Sequence, residues 1–368
     1  MRIGILTLPL HNNYGGLLQN FALQEFLRKM GHTVVTLDVT YQPCKISPLA
    51  RTIKFVARLL KKITGDKSVL FVDVVKQVMF YNLPQKNQKE FIDKYIIKET
   101  FSAPLDITFW DSHDFDALIV GSDQVWRKRF SPFILNYFLD FAEGKDNLKK
   151  LSYAASFGVD YWDGGEDLIE PVKRLLEKFT AVSVREKSGV DICKSVFCKD
   201  ATLVLDPTLL LTADDYRRIL PEQKNAKIKT CAVYILDEIP GLMRRINNVC
   251  YEKGLSVKRI GRPDRKGFPS LESWLSEIFS SDYVITDSFH GTVFSIIAHK
   301  KFTTIINRSR GATRFETLLD MFDLKGRLED INGELIKEKS IDYDEIENRL
   351  DEYRRRSYEF ITTNLTVK

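Results

Sequence analysis

The sequence predicts an α/β fold in which two Rossmann-like αβα domains face each other across a cleft. Three observations carry that prediction. Short apolar runs of strand length alternate with periodic segments of helix length along most of the chain. Several of these runs end in glycine or small polar residues, at the sheet edge where open α/β sheets bind ligands. The chain also has 368 residues, more than one hydrophobic core usually supports.

Ile3 to Leu8 reads as the first strand, His11 to Gly16 as a glycine-containing turn and Leu17 to Met30 as a strongly periodic helix. Gly31 caps that helix, and Thr33 to Asp38 is the second strand. Ala117 to Val120 is a buried strand running into Gly121-Ser-Asp-Gln-Val-Trp126 at the same edge. Leu151 to Ser156 follows as a strand, then Glu166 to Phe179 as a helix and Ala181 to Val184 as a strand ahead of Arg185. Cys198 to Leu205 leads to Asp206-Pro207, read as a hinge. A second β/α set begins after Pro221, with strands at Thr230 to Leu236, Leu255 to Ile260, Tyr283 to Ile285 and Lys301 to Ile306. Its helices are expected at Leu242 to Lys253, at Leu271 to Phe279 and from Thr292 onwards, and a long charged helix at Ile341 to Thr362 closes the chain. The expected units are residues 1–208, residues 209–340, and a C-terminal helix at 341–368 that packs back on the first unit. This is the plan called GT-B-like.

Residues 48–83 break the alternation. Ile53, Phe55, Val56, Leu59, Leu60 and Ile63 share one side of a helix, with Lys54, Arg58, Lys61 and Lys62 on the other. Packing on the sheet with a solvated basic face is the plainer reading. Peripheral contact of residues 53–63 with an anionic membrane surface is the functional one.

Composition excludes several classes. Hydrophobic residues make up 44% and aromatics 11%, which suits a globular protein with a large core. A net charge of +5 is too diffuse to argue for nucleic acid, and no zinc-finger or RNA-binding motif is present. The five cysteines form no CxxC and are odd in number, which points to a reducing cytoplasm rather than a disulfide framework. The first residues read as a strand and not as a signal peptide, and no run reaches the roughly 18 apolar residues of a membrane span. HExxH-type metal spacing, a P-loop and GxGxxG are all absent.

The most informative stretch is Tyr283 to His299. It predicts a buried strand, a small polar loop and an apolar helix, with His290 on the loop. Helix N-termini there favour an anion, and a glycine allows close approach. Ser288, Gly291 and Thr292 are therefore expected to bind a phosphate beside an imidazole able to move a proton near neutral pH. The plain alternative is a hydrogen-bonded structural histidine.

With these motifs in place, the chain resembles the polysaccharide pyruvyl transferase family. The likeness rests on Gly4 to Thr7, on Asn13-Tyr-Gly-Gly-Leu-Leu-Gln19 through Gln24, and on Gly121 to Trp126. It continues in Ser152 to Gly158, Ser183 to Gly189, Leu205-Asp-Pro-Thr208 and Thr286 to Thr292. The resemblance implies transfer of a pyruvyl group from phosphoenolpyruvate to two hydroxyls of one sugar, as a cyclic ketal, with release of phosphate. It implies no cofactor and no metal, and an acceptor sugar in a surface glycan or its lipid-linked precursor. The family histidine maps onto His290 and a donor-binding arginine onto Arg185. Many members carry an arginine where this chain has Ser288, so Arg308, Arg310 and Arg314 become candidates for the missing donor charge. Asp123 is a candidate base for the acceptor, against its plainer reading as a helix cap. Asn13, Tyr14, Gly15 and Gly16 at the end of the first strand, with Trp126 as a sugar platform, are expected on the acceptor side. The rival readings are a nucleotide-sugar glycosyltransferase and a non-catalytic glycan-binding protein on the same scaffold.

Overall fold

A computed structural model describes residues 1–11, 13–40, 85–221, 228–264, 267–306 and 312–366. The basic amphipathic segment at 48–83, with its proposed membrane contact at 53–63, lies outside the described residues, as do Arg308 and Arg310. Among the described residues no helix is long and apolar enough to cross a membrane.

The first sheet is built from β1 (Arg2–Leu6), α1 (Tyr14–Lys29), β2 (Thr33–Thr40), α2 (Lys86–Tyr95), β3 (Lys98–Ser102), β4 (Ala117–Val120) and β5 (Lys149–Ser152). Its order is β3-β2-β1-β4-β5, and every pair is parallel. All four residues of β4 are buried, as a parallel strand covered on both faces requires. The polar strand β3 closes the edge, where alternation is weak and the sequence pattern did not reveal it. After α3 (Ile169–Glu177), a short parallel pair of β6 (Ser183–Val184) and β7 (Thr202–Leu203) flanks α4 (Lys187–Phe197). Bridges from Leu151 to Ala181 and from Ala155 to Val184 join this pair to β5.

Beyond α5 (Ala213–Arg217), a second parallel sheet contains β8 (Thr230–Tyr234), α6 (Leu242–Glu252), β9 (Ser256–Arg259), α7 (Leu271–Ser280) and β10 (Tyr283–Thr286). α8 (Phe289–Ile297), β11 (Lys301–Ile305), α9 (Thr313–Met321) and β12 (Leu328–Glu329) complete it, in the order β12-β11-β10-β8-β9. α10 (Tyr343–Leu365) then spans both lobes. Ile346 and Leu350 pack with the second lobe, whereas Ile361 and Leu365 reach the cluster around Ile3 and Ile5 of the first. The Arg354 guanidinium donates to the carbonyls of Leu209 and Leu211 in the connecting segment.

The two Rossmann-like lobes share one of their hydrophobic clusters. On α1, Leu23 and Leu27 pack with Ile3, Ile5 and Val34 of the first sheet. Leu17, Leu18, Phe21 and Ala22 join Leu271, Trp274, Val284 and Phe294 of the second lobe. A helix buried on both sides ties the lobes into one packed body. Leu18→Ala, at a fully buried position, should therefore cost about 3 kcal/mol. Urea unfolding followed by tryptophan fluorescence and by far-UV dichroism should show one shared shift in midpoint. Two separate transitions would contradict a common core.

Candidate active site

Each sheet has one place where its strand order reverses. In the first it lies between β1 and β4, whose ends pair at Leu6 and Val120. In the second it lies between β8 and β10, paired at Tyr234 and Thr286. Loops leaving the strand ends diverge at such a point and open a crevice. The two crevices meet in one cavity of about 520 Å³. Asn13, Tyr14, Gly15 and Asp123 line it from the first lobe, and Asp287, Ser288, Phe289 and His290 from the second.

His290 is the second residue of α8 rather than a loop residue. The helix starts three residues before the apolar periodicity suggests because Ser288 is its N-cap, its Oγ accepting the Gly291 N–H at 3.3 Å. The imidazole lies against the first turn of α1. A Cβ built on Gly15 would stand 1.9 Å from Nδ1 of His290, so only glycine admits the ring. The opposite nitrogen, Nε2, meets the buried amide of Gln19 at 2.5 Å and lies 3.8 Å from Oδ2 of Asp206. Nδ1, on the Gly15 side, is the nitrogen left for a ligand.

Beneath this ring is a buried charge cluster. The Arg185 guanidinium, its side chain 1% exposed, donates to Oδ2 of Asp206 at 2.8 Å and to Oδ1 of Asp123 at 3.4 Å, with Glu186 at 3.8 Å. Burial opposes the charge on Asp206. His290 and Arg185 outweigh that and hold its carboxyl well below the usual carboxylate range. Asp123 adopts a φ of 75°, in the left-handed region that aspartate is among the few residues to tolerate. Its other oxygen accepts from Nδ2 of Asn13 at 3.2 Å.

Arg127, Arg129 and Arg314 supply the positive wall of the cavity. Arg314 is buried, and burial followed by the like charge of Arg185 pushes its guanidinium down to about 10. Both guanidiniums approach the Phe289 ring, Arg185 at 5.0 Å and Arg314 at 5.7 Å from its centroid. Among the described residues no group of three His, Cys, Asp or Glu is placed to hold a metal ion.

A family model for polysaccharide pyruvyl transferases matches residues 13–309. The chain belongs to the polysaccharide pyruvyl transferase family. No curated protein matches it in sequence. Solved structures similar to it include the UDP-GlcNAc 2-epimerase of Methanocaldococcus jannaschii, at 10% identity and TM-score 0.48, covering 95% of this chain and 92% of that one. The UDP-N-acetylglucosamine 2-epimerase of Rickettsia bellii is similar at 9% identity and TM-score 0.46, covering 99% and 97%. A ugt transferase of Siraitia grosvenorii in complex with UDP follows at 11% and 0.43, covering 97% and 94%. The GT-B-like architecture is read from the two facing parallel sheets themselves.

In this pyruvyl transferase family member the residues singled out in the sequence fall into two groups. His290, Ser288, Arg314, Asp123, Asn13, Tyr14 and Gly15 share the cavity wall. The others sit behind it. Arg185 is engaged by three carboxylates and is a buried counter-ion, not a surface for the donor. Gly291 is a packing glycine, since a Cβ there would meet Oγ1 of Thr286 at 2.2 Å, and its N–H is taken by Ser288. Thr292 is buried and bonds to Ser288 and Thr304. Gly16 lies against Asn13 and Asp123. Trp126 is 0% exposed, stacks on Phe138 and donates to the Tyr137 carbonyl, so it offers no face to a sugar. Tyr14 turns its hydroxyl to the Pro269 carbonyl at 2.5 Å and tethers the lobes.

Gln19, Arg127, Arg129 and Asp206 were not recognised as site residues. A glutamine within a helix and an aspartate before proline have common structural readings, and the basic run Arg127-Lys-Arg129 reads as a solvated loop. Gly15→Ala should displace the imidazole and lower transferase turnover at least a hundredfold, while the melting temperature falls by only a few degrees. Unchanged turnover in that variant would show that the ring does not depend on this contact.

Proposed function

We propose that the cavity takes phosphoenolpyruvate and transfers its pyruvyl group as a cyclic ketal to two hydroxyls of one sugar in a polysaccharide or its lipid-linked precursor. The observation that carries this reading is one cavity lined by an imidazole, a buried guanidinium and a carboxylate, those of His290, Arg314 and Asp123. The family membership supplies the reaction class.

Phosphoenolpyruvate brings a carboxylate and a phosphate. Planar guanidiniums match both groups, and their pull is strongest where water is excluded. Arg314 lines the cavity, and burial and Arg185 oppose its charge while Glu186 and Asp123 favour it, so an anionic group in the cavity would add to that favourable side. Arg127 and Arg129 reach the same cavity and serve the second anionic group.

Protonation of the methylene carbon by His290 makes C2 electrophilic. The first sugar hydroxyl then forms a C2–O bond and gives its proton to Asp123. The C2–O bond to phosphate breaks as the second hydroxyl bonds to C2, and that second proton leaves with the phosphate. The proton held by Asp123 returns to His290 through solvent, so one hydroxyl proton balances the new methyl group and the other balances the released phosphate. No electrons are exchanged with a cofactor, and none of these steps needs a metal. Asn13 beside Asp123 marks the acceptor side.

The reading predicts phosphate release from phosphoenolpyruvate only when a sugar acceptor is present, measured colorimetrically over galactose-, mannose- and glucose-terminated acceptors. His290→Ala should lose a factor of about 10³ in kcat. Arg314→Lys should raise KM for phosphoenolpyruvate more than it lowers kcat. Phosphoenolpyruvate at a hundred times its Kd should stabilise the fold by about 2.7 kcal/mol, and UDP should not. Stabilisation by UDP with none by phosphoenolpyruvate would replace this reading with a nucleotide-sugar transferase. Acceptor binding without phosphate release would make the protein a glycan binder.

A further inference from the structure

Asp206 and Gln19 belong to no step described above, yet both approach the same nitrogen of His290. Neither lies on the cavity wall, and both are buried. Asp206 follows β7 and has no freedom to turn away. Its Oδ1 accepts from the N–H and hydroxyl of Thr208 at 3.1 and 2.6 Å, and its Oδ2 accepts from Arg185 at 2.8 Å. That same Oδ2 faces Nε2 of His290 at 3.8 Å. Gln19 sits 2.5 Å from Nε2, and its Oε1 is buried with no hydrogen-bond partner. A half-turn of the amide about its last bond exchanges nitrogen for oxygen. Gln19 can thus accept a proton from Nε2–H as readily as it donates to a bare Nε2.

From this geometry we infer that Asp206, with Gln19, is a positioning residue that keeps the His290 proton on Nε2, so that Nδ1 beside Gly15 is the nitrogen that exchanges a proton with the substrate. The carboxylate stabilises Nε2–H electrostatically, and the Gln19 oxygen completes that hydrogen bond. In the charged ring both nitrogens carry protons. Transfer of the Nδ1 proton to the substrate leaves the neutral Nε2–H form, and Asp206 remains ionised throughout. Arg185 acts one step further back, as the counter-ion that lets a buried Asp206 stay charged. The charged and titratable groups around the pair come from several elements. They are Arg185, Glu186, Asp123 and Arg314, and the hydroxyls of Tyr153, just after β5, and of Tyr216, on α5.

The catalytic consequence rests on the ketal-transfer reading, but the proton's position does not. The test uses the full-length protein with 15N-labelled histidine, the His290 signals being assigned by their loss in His290→Gln. At a pH where the ring is neutral, the nitrogen shifts should show a protonated Nε2 and a bare Nδ1. In Asp206→Asn, which keeps the side chain's shape, the neutral ring should move toward the Nδ1–H form. In that variant kcat should fall about a hundredfold while KM for phosphoenolpyruvate changes less than threefold. A bare Nε2 in the unmodified protein would overturn the inference even if Asp206→Asn fails to fold. So would identical His290 spectra in the two proteins. The expected nitrogen shifts in a protein that never turns over phosphoenolpyruvate would uphold the positioning and remove the proposed reaction.

Discussion

The imidazole of His290 belongs to the second lobe, but its environment belongs to the first. One face of the ring lies on Gly15 at the start of α1, and Nε2 points toward Gln19 and Asp206. The site exists only because the two lobes are docked, and α1 is what docks them. Its buried residues serve two cores at once, so the helix cannot shift on one sheet without disturbing the other. Smaller contacts hold the rim in place. Tyr14 and Gln88 both donate to the Pro269 carbonyl, and Asn87 donates to that of Phe268. Catalytic geometry held to fractions of an ångström needs such support.

Charge under the site follows the same logic. An isolated buried arginine would be costly, and so would any of the three carboxylates around it. Together they form a cluster in which the one guanidinium of Arg185 contacts all three carboxylates, Asp123, Glu186 and Asp206. Glu186 further accepts the N–H groups of Phe157 and Gly158. The cluster holds the Asp206 carboxyl well below the usual carboxylate range, with His290 and Arg185 outweighing its burial. Arg314 lies out of water on the cavity wall, where Arg185 opposes its charge and Glu186 and Asp123 favour it.

Much of the fold was legible in the sequence, because parallel strands buried on both faces leave continuous apolar runs such as Ala117 to Val120 and Tyr283 to Ile285. The polar edge strand Lys98–Ser102 and the short helix Thr313–Met321 leave no such signature. In the site, His290 and Asp123 could be found because both follow buried strands. The start of α8 was misplaced because the first turn holds Phe289, His290 and Gly291, whose mixed character hides the helix, although Ser288 with an N–H acceptor role three residues later was the available signal. Arg185 was recognised as important but given the wrong partner, since sequence order does not show that three carboxylates surround it. Trp126 could not be judged at all from sequence, because a tryptophan facing a core and one facing a sugar look alike until Phe138 is seen stacked beneath it. Asp206 and Gln19 emerge only when two lobes are folded against each other.

The most direct test of this account is a crystal structure of the protein with phosphoenolpyruvate bound. The ligand should lie in the cavity between the lobes, with its anionic groups on Arg314 and Arg127 and its methylene carbon about 3.5 Å from Nδ1 of His290. Phosphoenolpyruvate bound away from the His290 ring, or with its methylene turned from Nδ1, would contradict it.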